Sequence, residues 1–426
     1  MAAAAADIIR RLIDICGPAF ARLAGAADVV AGRPAHWVAL PGDPGAAAKV
    51  LRLAAAHDLT VVPRGAGTKI DWGAAPEHVD IMLDTGRLAG VGHRPGARVA
   101  TIGAGTPLRA AQAILAGTGH RLTLDAPSPD ATVGGVLAAD EAGPLRHRHG
   151  SPSQQLVAMS YLTADGELIS TGGDASGPGL ARLLHGSRRG RGGVLVSATL
   201  PVQPLPASRA WVTRPVESPA EADTLAGLVR AAPVAPAAVE LDLMARASRA
   251  RPTLPADDPA AVARARHPSM FQRTLPPSAV GTLAILLEGD PADVSEQADC
   301  LLEILGEKAA VQQSAPPWWG SYPFGPDDTA LRIEVPAVDL RAGRHGPRVR
   351  VGDLRTVALA LCDVAGNPVA MRGCAGQGIL HAVLPGALPA DQVASIVTGV
   401  RQTLLCRCGR CVVVAAPPAV RSALGL

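Results

Sequence analysis

The sequence predicts an α+β protein with two domains, and three features of the chain indicate this. Short apolar runs with strand alternation are interspersed with apolar residues at helical spacing. Gly (46) and Pro (38) make up about a fifth of the 426 residues, against a usual share of roughly 12%, which favours short elements and tight turns. The pattern changes after a Pro-rich stretch at residues 203–206. We therefore place a first domain at residues 1–206 and a second at residues 207–426.

In the first domain we expect helices and short strands in close succession. Asp43 and Pro44 form a cap and first-turn pair, and the apolar residues that follow keep helical spacing up to His57. A further helix is predicted over residues 107–115. Strands are predicted at residues 59–62, 81–83, 99–102, 156–163, 167–171 and 194–200, with a hairpin turn at 164–166.

The second domain is predicted to be one sheet with helices that return across one face, an α+β cap. Its strands are predicted at residues 211–214, 238–242, 282–288, 331–335, 357–362 and 412–416. Its helices are predicted at residues 220–231, 294–305 and 390–405. The Pro-rich stretches 246–277 and 314–328 are expected to be loops.

Composition excludes several classes of protein. With 48% apolar and 18% charged residues the chain is not disordered, and a net charge of +3 gives no reason to expect nucleic acid. The apolar runs are much shorter than the roughly 20 residues of a membrane span. The first residues lack the basic start of a secretory signal, and seven cysteines without a framework fit a reducing compartment. We expect a soluble, cytoplasmic protein.

The strongest local motif is a Gly-rich turn after a predicted strand. It consists of Pro63, Arg64, Gly65, Ala66, Gly67 and Thr68, followed by Lys69. Its glycines allow positive φ, so successive backbone N–H groups can converge on a phosphate. It matches neither the Walker loop nor the dinucleotide fingerprint, whose third Gly opens a helix. The alternative is an inherited turn that binds nothing.

Two further motifs follow along the chain. The first contains Pro127, Ser128, Asp130, Thr132, Val133, Gly134 and Gly135. Its Gly-Gly pair lets a flat ring system lie against bare backbone. The second is a Gly- and Arg-rich cluster that ends in Gly193 and leads into a strand at Val194.

These three motifs, in this order and spacing, resemble the FAD-binding domain shared by vanillyl-alcohol oxidase and p-cresol methylhydroxylase (PCMH). The resemblance implies a PCMH-type FAD-binding domain of two subdomains, followed by an α+β cap. It also implies that residues 64–68 surround the FAD pyrophosphate, that residues 127–135 line the flavin, and that Gly193 and Val194 support it. Within this group the chain resembles the FAD-binding E subunit of glycolate oxidase. That resemblance implies a homologous catalytic FAD subunit and an iron–sulfur subunit as partners.

The sequence departs from the family pattern around the expected cofactor. Thr68 stands where members with covalent FAD carry His, so we expect non-covalent FAD. The loop after Gly173 is shorter than in related subunits and lacks their Tyr, and Ser153-Gln154 replaces a usual Arg-Asp pair. The end of the chain omits the tail with which many relatives close the flavin site. Each departure is expected to weaken FAD binding.

The cap departs further. Catalytic 2-hydroxy-acid dehydrogenases of this group carry His-x-Gly-Asp-Gly-Asn-x-His, whose histidines help to hold a metal and the substrate carboxylate. The matching stretch here runs from Cys374 to His381, with Gln377 and Ile379 in place of polar groups. One imidazole is a poor metal-ligand set, and no base for the 2-hydroxyl can be nominated. We therefore assign neither catalytic residues nor a metal site.

Five other motifs have two interpretations each. The cysteines at 406, 408 and 411 are typical of metal sites but lack a fourth ligand, so structural thiols are the alternative. The basic stretches 146–149 and 188–191 fit either cofactor phosphates or solvated loops, and the basic stretch 341–355 fits either an acidic partner or an exposed loop. The pair Trp318-Trp319 fits either an interface or packing on the cap sheet.

Three functions are consistent with these features. The first is an FAD-binding oxidoreductase subunit that supports 2-hydroxy-acid oxidation, of the glycolate or lactate type, in such a complex. The second is a scaffold subunit that has lost its flavin, favoured by the shortened loop, by Ser153-Gln154 and by the missing tail. The third is a self-sufficient flavoenzyme, which would need a base and a carboxylate-binding group.

Overall fold

The computed structural model describes residues 2–172, 193–244, 280–334, 338–341, 348–351, 361, 364–366, 369–405 and 409–426. The chain divides into two compact units. The first unit comprises Met1–Ala207 with Leu426, and the second comprises Ser208–Gly425.

The first unit begins with helices packed on a mixed sheet. Its elements are α1 (Ala2–Cys16), β1 (Ala21–Leu23), β2 (Val29–Val30), β3 (Arg33–Ala39), α2 (Pro44–Ala56), β4 (Val61–Arg64) and β5 (Val79–Asp84). The strand order is β1-β3-β5-β4, and β5 pairs in parallel with both β3 and β4. Helix α2 starts where the Asp43 carboxylate accepts a 2.9 Å hydrogen bond from Ala46 N, with Pro44 in the first turn. Its predicted start is confirmed.

The rest of the first unit is an antiparallel sheet with short helices. Its elements are β6 (Val91–Gly92), β7 (Val99–Gly103), α3 (Leu108–Ala116), β8 (His120–Leu122), α4 (Val133–Ala139), α5 (Arg146–His149), a 3₁₀ turn (Pro152–Gln155), β9 (Ala158–Leu162), β10 (Leu168–Thr171) and β11 (Val194–Pro204). The strand order is β10-β9-β11-β7-β6, with β8 paired to β11. Strand β11 runs past the predicted end at residue 200, because Val202–Pro204 pair with β8.

Apolar clusters of helix and strand residues lie against these sheets. Ile8, Leu12 and Val50 of the helices α1 and α2 pack with Ile81 and Leu83 of β5. Separately, side chains of α3 and α4 pack with those of β7 and β11; among them are Leu115, Leu137, Ile102 and Leu200. The second cluster fixes α4 on β7, and this position matters for the site described below.

The second unit is an antiparallel sheet with helices on one face. Its elements are β12 (Ser208–Val216), α6 (Pro219–Ala231), β13 (Ala238–Met244), β14 (Val280–Gly289), α7 (Pro291–Leu305), β15 (Ala310–Gln312), β16 (Thr329–Glu334), β17 (Val338–Arg341), β18 (Arg348–Val351), β19 (Ala370–Cys374), β20 (Ile379–Leu384), α8 (Ala390–Leu405), β21 (Arg410–Ala415) and α9 (Pro418–Leu424). The strand order is β15-β12-β14-β13-β19-β20-β16-β21, and β17 pairs with β18 separately. Alternate residues of β14, such as Leu283 and Ile285, form the core with Leu225, Leu301 and Val397 of the helices.

Most predicted elements agree with these bounds, and α8 has the predicted ends. The predicted loop at residues 314–328 is confirmed, since no helix or strand begins there. The predicted strand at 357–362 is outside the described residues except for Leu361, which is helical. Helix α1 and the hairpin β19–β20 were not predicted. In α1 the buried residues Ile8, Leu12 and Cys16 recur at a spacing of four, so a helical signal was present, whereas Gly373 interrupts the pattern of β19. The predicted loop at 246–277 lies outside the described residues.

Within the described part of the chain, no helix is long and apolar enough to cross a membrane.

Candidate functional site

A cleft that is partly open to solvent lies within the first unit. The loops after β4, β5 and β7, the helix α4, and the strands β9 and β11 form its walls. The lining residues are Pro63, Arg64, Gly65, Thr85, Ala104, Gly134, Gly135, Ala138, Met159, Tyr161, Gly193, Val194 and Leu195. The lining combines bare backbone, contributed by the glycines, with apolar side chains.

The glycines allow the walls to approach one another closely. A Cβ at Gly65 would collide with the Thr132 side chain, so the turn after β4 rests directly on the start of α4. A Cβ at Gly134 would lie 2.7 Å from Cβ and 2.8 Å from the carbonyl oxygen of Ala104, so α4 rests directly on the end of β7. Gly67 has a φ of +78°, which L side chains rarely adopt. The backbone therefore shapes this cleft as much as the side chains do.

Arg64 begins the Gly-rich turn and is bound by two carboxylates. Its Nη2 donates to Asp84 at 2.7 Å and its Nη1 to Asp28 at 3.2 Å. Its carbonyl oxygen accepts hydrogen bonds from the backbone N and the hydroxyl of Thr85, at 2.9 and 3.1 Å. The two carboxylates therefore hold the guanidinium, and through it Arg64 positions the turn that follows.

Asp28 anchors this network from the loop before β2. A hydrogen bond from Arg22 is the main reason that the pKa of Asp28 is lowered, to about 2. Burial opposes this shift, whereas a hydrogen bond from Gly25 N and the charges of Arg22 and Arg64 support it. The ordinary value is 3.8. The folded state is therefore stabilised by this carboxylate at neutral pH, and the contribution is lost as the pH falls from about 4 to about 2.

We expect Asp28→Asn to destabilise the protein at pH 7 and to reduce its loss of stability in acid. The amide cannot ionise, so it carries no linkage between folding and proton uptake in that range. Urea unfolding of both proteins at pH 7, 4 and 3 measures the effect. An unchanged dependence on pH between 4 and 3 would contradict the role of Asp28.

The structure brings some of the predicted site residues to the cleft and not others. Pro63, Arg64, Gly65, Gly134, Gly135, Gly193 and Val194 line it. Ala66 and Thr68 are exposed at the tip of the turn. Thr132 is buried at the start of α4, where its hydroxyl accepts a 3.2 Å hydrogen bond from Gly135 N, and Val133 is buried in the core. Pro127, Ser128 and Asp130 lie in the loop that leads to α4.

Sequence analysis missed six lining residues. These are Thr85, Ala104, Ala138, Met159, Tyr161 and Leu195. Met159 and Tyr161 alternate along β9, so a period-two pattern on that strand is the signal that could have found them. Thr85 and Ala104 each directly follow a strand, but only the tertiary fold shows that both strand ends face the same space.

The loop before α5 is fixed by its own polar contacts. The Asp125 carboxylate accepts hydrogen bonds from the backbone N of Gly143 and of Leu145, at 3.2 and 2.6 Å. Gln154 completes a capping box with Ser151, so the residues that replace the usual Arg-Asp pair have a structural role. Arg146 is buried and lies 3.4 Å from Asp140. Its charge is therefore used inside the unit.

In the second unit, His381 lies in a row of charged side chains across the sheet. Asp242, Arg372, His381 and Arg332 are successive cross-strand partners on β13, β19, β20 and β16, and therefore share a face. Arg372 Nε donates to Asp242 at 2.7 Å, and the Tyr322 ring meets the His381 ring edge-on at 5.1 Å. The imidazole is thus packed against an aromatic ring, and its cross-strand neighbours are arginines.

Among the described residues, no group of three or more His, Cys, Asp or Glu side chains is placed to hold a metal ion. Cys374 is buried and pairs across the hairpin with Ile379. Cys411 is buried, and burial raises the pKa of its thiol to about 11. Its predicted companions at 406 and 408, the shortened loop at 174–179, the basic stretch 188–191 and most of the basic stretch 341–355 lie outside the described residues.

The tryptophan pair packs on the sheet of the second unit. The Trp319 ring meets Trp211 of β12 edge-on at 6.2 Å, and the Arg372 guanidinium lies 5.6 Å from the Trp318 ring. Of the two interpretations of this pair, these contacts support packing on the sheet.

Residues 35–172 match a family model described as an FAD binding domain. The chain is similar to a D-lactate dehydrogenase of Archaeoglobus fulgidus, at 30% identity over 46% of each chain. It is also similar to a D-2-hydroxyglutarate dehydrogenase of Xanthomonas citri pv. viticola, at 29% identity over 38% of this chain and 36% of that one. The chain therefore matches less than half the length of these curated relatives.

Among solved structures, an alkyldihydroxyacetonephosphate synthase has the same fold. The likeness has a TM-score of 0.68 and 15% identity, and it covers 95% of this chain and 80% of the other. The lining is compatible with a flavin nucleotide, because glycines leave bare backbone beside the apolar side chains of Met159, Val194 and Leu195. The predicted α+β class is confirmed: the first unit contains an FAD-binding domain of the PCMH type, and FAD is its cofactor.

Proposed function

We propose that this chain is an FAD-binding oxidoreductase subunit that holds FAD non-covalently and supports the oxidation of a 2-hydroxy acid. We further propose that it works as the E-type subunit of a glycolate-oxidase-like complex, beside a homologous catalytic flavoprotein and an iron–sulfur subunit. The observation that carries the proposal is the cleft, in which glycines from three separate segments meet. Two similar proteins are named as dehydrogenases of the 2-hydroxy acids D-lactate and D-2-hydroxyglutarate, which supports the substrate class.

In this proposal the protein contributes binding and orientation. The turn at 63–68 and the start of α4 hold the cofactor through backbone groups, and Met159, Tyr161 and Leu195 exclude water from one wall. FAD, when bound, supplies the two-electron oxidation of a substrate carbon. Among the described lining residues there is neither His nor Cys, which together with Thr68 supports non-covalent binding.

A supporting rather than catalytic role follows from the second unit. Oxidation of a 2-hydroxy acid requires a base beside the hydroxyl group. At the positions where the resembling catalytic enzymes carry polar groups, this chain has Cys374, Gln377 and Ile379. His381 remains, but its ring packs on Tyr322. We therefore propose that a partner subunit provides the catalytic groups.

Visible absorption of the purified chain tests the proposal, followed by precipitation with acid and by anaerobic addition of D-lactate, D-2-hydroxyglutarate and glycolate. We expect flavin absorption, release of the flavin into the supernatant, and no bleaching by any of the three acids. Yellow pellets would contradict non-covalent binding. A colourless protein that ignores added FAD would instead be the scaffold, and bleaching by a hydroxy acid would show a self-sufficient enzyme.

A further inference from the structure

Lys69 directly follows the turn at 63–68, and its side chain folds back into the first unit. Only 12% of that side chain is exposed. Its Nζ donates a 2.8 Å hydrogen bond to Oε1 of Glu141 and a second hydrogen bond to the Ser128 hydroxyl. The same Nζ lies 4.3 Å from the centroid of the Trp72 ring. The ammonium group is therefore bound by side chains from the segments on both sides of α4.

Glu141 connects the same parts of the chain from the other direction. Its side chain is 1% exposed, and Oε1 also accepts a 3.0 Å hydrogen bond from the backbone N of Ser128. Lys69, Ser128 and Glu141 thus bond to one another, and we call these three residues the Lys69 cluster. The cluster joins the end of the 63–68 turn to the 127–135 segment.

A second contact joins these two segments a few residues away. Gly65 rests on Thr132 so closely that a Cβ could not be accommodated without a shift. The turn is therefore held at its beginning by backbone packing and at its end by the Lys69 cluster. Both segments belong to the candidate FAD site, and Gly65, Gly134 and Gly135 line the cleft between these contacts.

The charges of the cluster make its geometry specific. Burial lowers the pKa of Lys69, and the Glu141 carboxylate opposes this shift. An ion pair withdrawn from water is favourable only when its hydrogen bonds are well formed, and the loss of one partner leaves an unpaired buried charge. Such a pair adds little net stability compared with apolar side chains, but it favours one arrangement of the segments that carry it.

We propose that Lys69 is a positioning residue for FAD, which holds the 63–68 turn and the 127–135 segment in their cofactor-binding arrangement before FAD arrives. The inference rests on the FAD site proposed above. Lys69 acts through Ser128 and Glu141, since its ammonium is already bound by them. An apoprotein with the cluster intact has its site pre-organised, and pre-organisation raises affinity by reducing the ordering cost of binding.

The test compares wild type, Lys69→Met, and the double variant Lys69→Met with Glu141→Gln. The double variant removes both charges of the Lys69–Glu141 pair, so it separates the role of the cluster from the penalty of an orphaned Glu141 carboxylate. Lys308→Met is the matched control, because Lys308 forms an exposed ion pair with Glu217 in the second unit. Titration of the apoprotein with FAD measures the affinity, and rapid mixing of the two measures the association rate. Mass spectrometry follows amide hydrogen exchange of the apoprotein.

For both Lys69 variants we expect FAD to bind at least ~10-fold more weakly, or by ~1.4 kcal/mol, with slower association. Amide hydrogen exchange is expected to accelerate in peptides covering 63–72 and 127–135. It is expected to stay unchanged in Ser208–Gly425. A loss of stability throughout the protein would not produce such a local response. The control is expected to match wild type in every measurement.

Three outcomes separate this inference from the proposed function. If wild type does not bind FAD, the proposed function fails. If wild type and the double variant bind FAD equally well, the positioning role alone is overturned. If the double variant does not fold, Lys69 is required for folding of the unit rather than for positioning FAD, and the inference is overturned as well.

Discussion

Gly134→Val is expected to yield protein without FAD and to lower the free energy of unfolding by about 3 kcal/mol, as overpacking of a tight contact does. Gly134 lies in the first turn of α4, and its backbone N donates a 2.8 Å hydrogen bond to Ala104 O. A Cβ would approach that oxygen and the Ala104 side chain to 2.8 and 2.7 Å. Relief requires α4 to move away from β7. Because α4 also carries Gly135 and Ala138, the cleft wall moves with it.

Gly117→Ala is the matched control for this prediction. Gly117 follows α3, has a φ of −60° that alanine adopts freely, and is exposed. We expect the free energy of unfolding of the Gly117→Ala variant to stay within about 0.5 kcal/mol of that of wild type, and its flavin content to be unchanged. Denaturant unfolding and the flavin-to-protein absorbance ratio measure both variants. A Gly134→Val protein that retained full flavin would refute the close-packed wall as a determinant of the site.

Arg64→Met is expected to cost about 3 kcal/mol of stability at pH 7, the lower end for breaking a buried ion pair, because 22% of the Arg64 side chain is exposed. Without the guanidinium, Asp84 loses its 2.7 Å partner, and Asp28 keeps the Arg22 guanidinium and the backbone N of Gly25. The turn that follows Arg64 also loses its anchor, so we expect weaker FAD binding. Denaturant unfolding and FAD titration measure the two effects.

Two further variants test whether the ion pairs of Arg64 cause the loss of stability expected for Arg64→Met. Arg64→Lys retains the charge but lacks the planar guanidinium fork that presents separate N–H groups to the two carboxylates, so it should recover only part of the lost stability. Arg33→Met removes an exposed charge at the start of β3 and should behave as wild type. Equal stability of Arg64→Met and Arg33→Met would show that the ion pairs of Arg64 contribute nothing measurable.

The elements that could be predicted from sequence are those with local signals. Asp43 and Pro44 start α2 through hydrogen bonds within four residues, and α8 keeps an apolar stripe from Ala390 to Leu405. The fold class followed from the order of such elements and from the order of the Gly-rich motifs. A predicted strand boundary was wrong where it depends on a neighbouring strand. The last residues of β11 are extended because β8 pairs with them.

For the candidate site, the Gly-rich segments could be identified in advance because glycine marks places where backbones approach or φ is positive. The remaining features require contacts between residues far apart in the chain. The sequence predicts Arg64 as part of the phosphate-binding turn, and only the structure shows that carboxylates 36 and 20 positions away bind its side chain. Lys69 and Glu141 are 72 positions apart.

Local hydrogen-bonding preferences and apolar spacing therefore determine the elements of this protein, their order and the glycines of its cleft. Which charges neutralise one another, and which side chains complete the walls, depend on strand pairing and on the packing of α4. Those contacts join distant segments, and their free energies arise only when burial removes the groups from water. For that reason the roles of Arg64 and Lys69 emerge only from the tertiary structure.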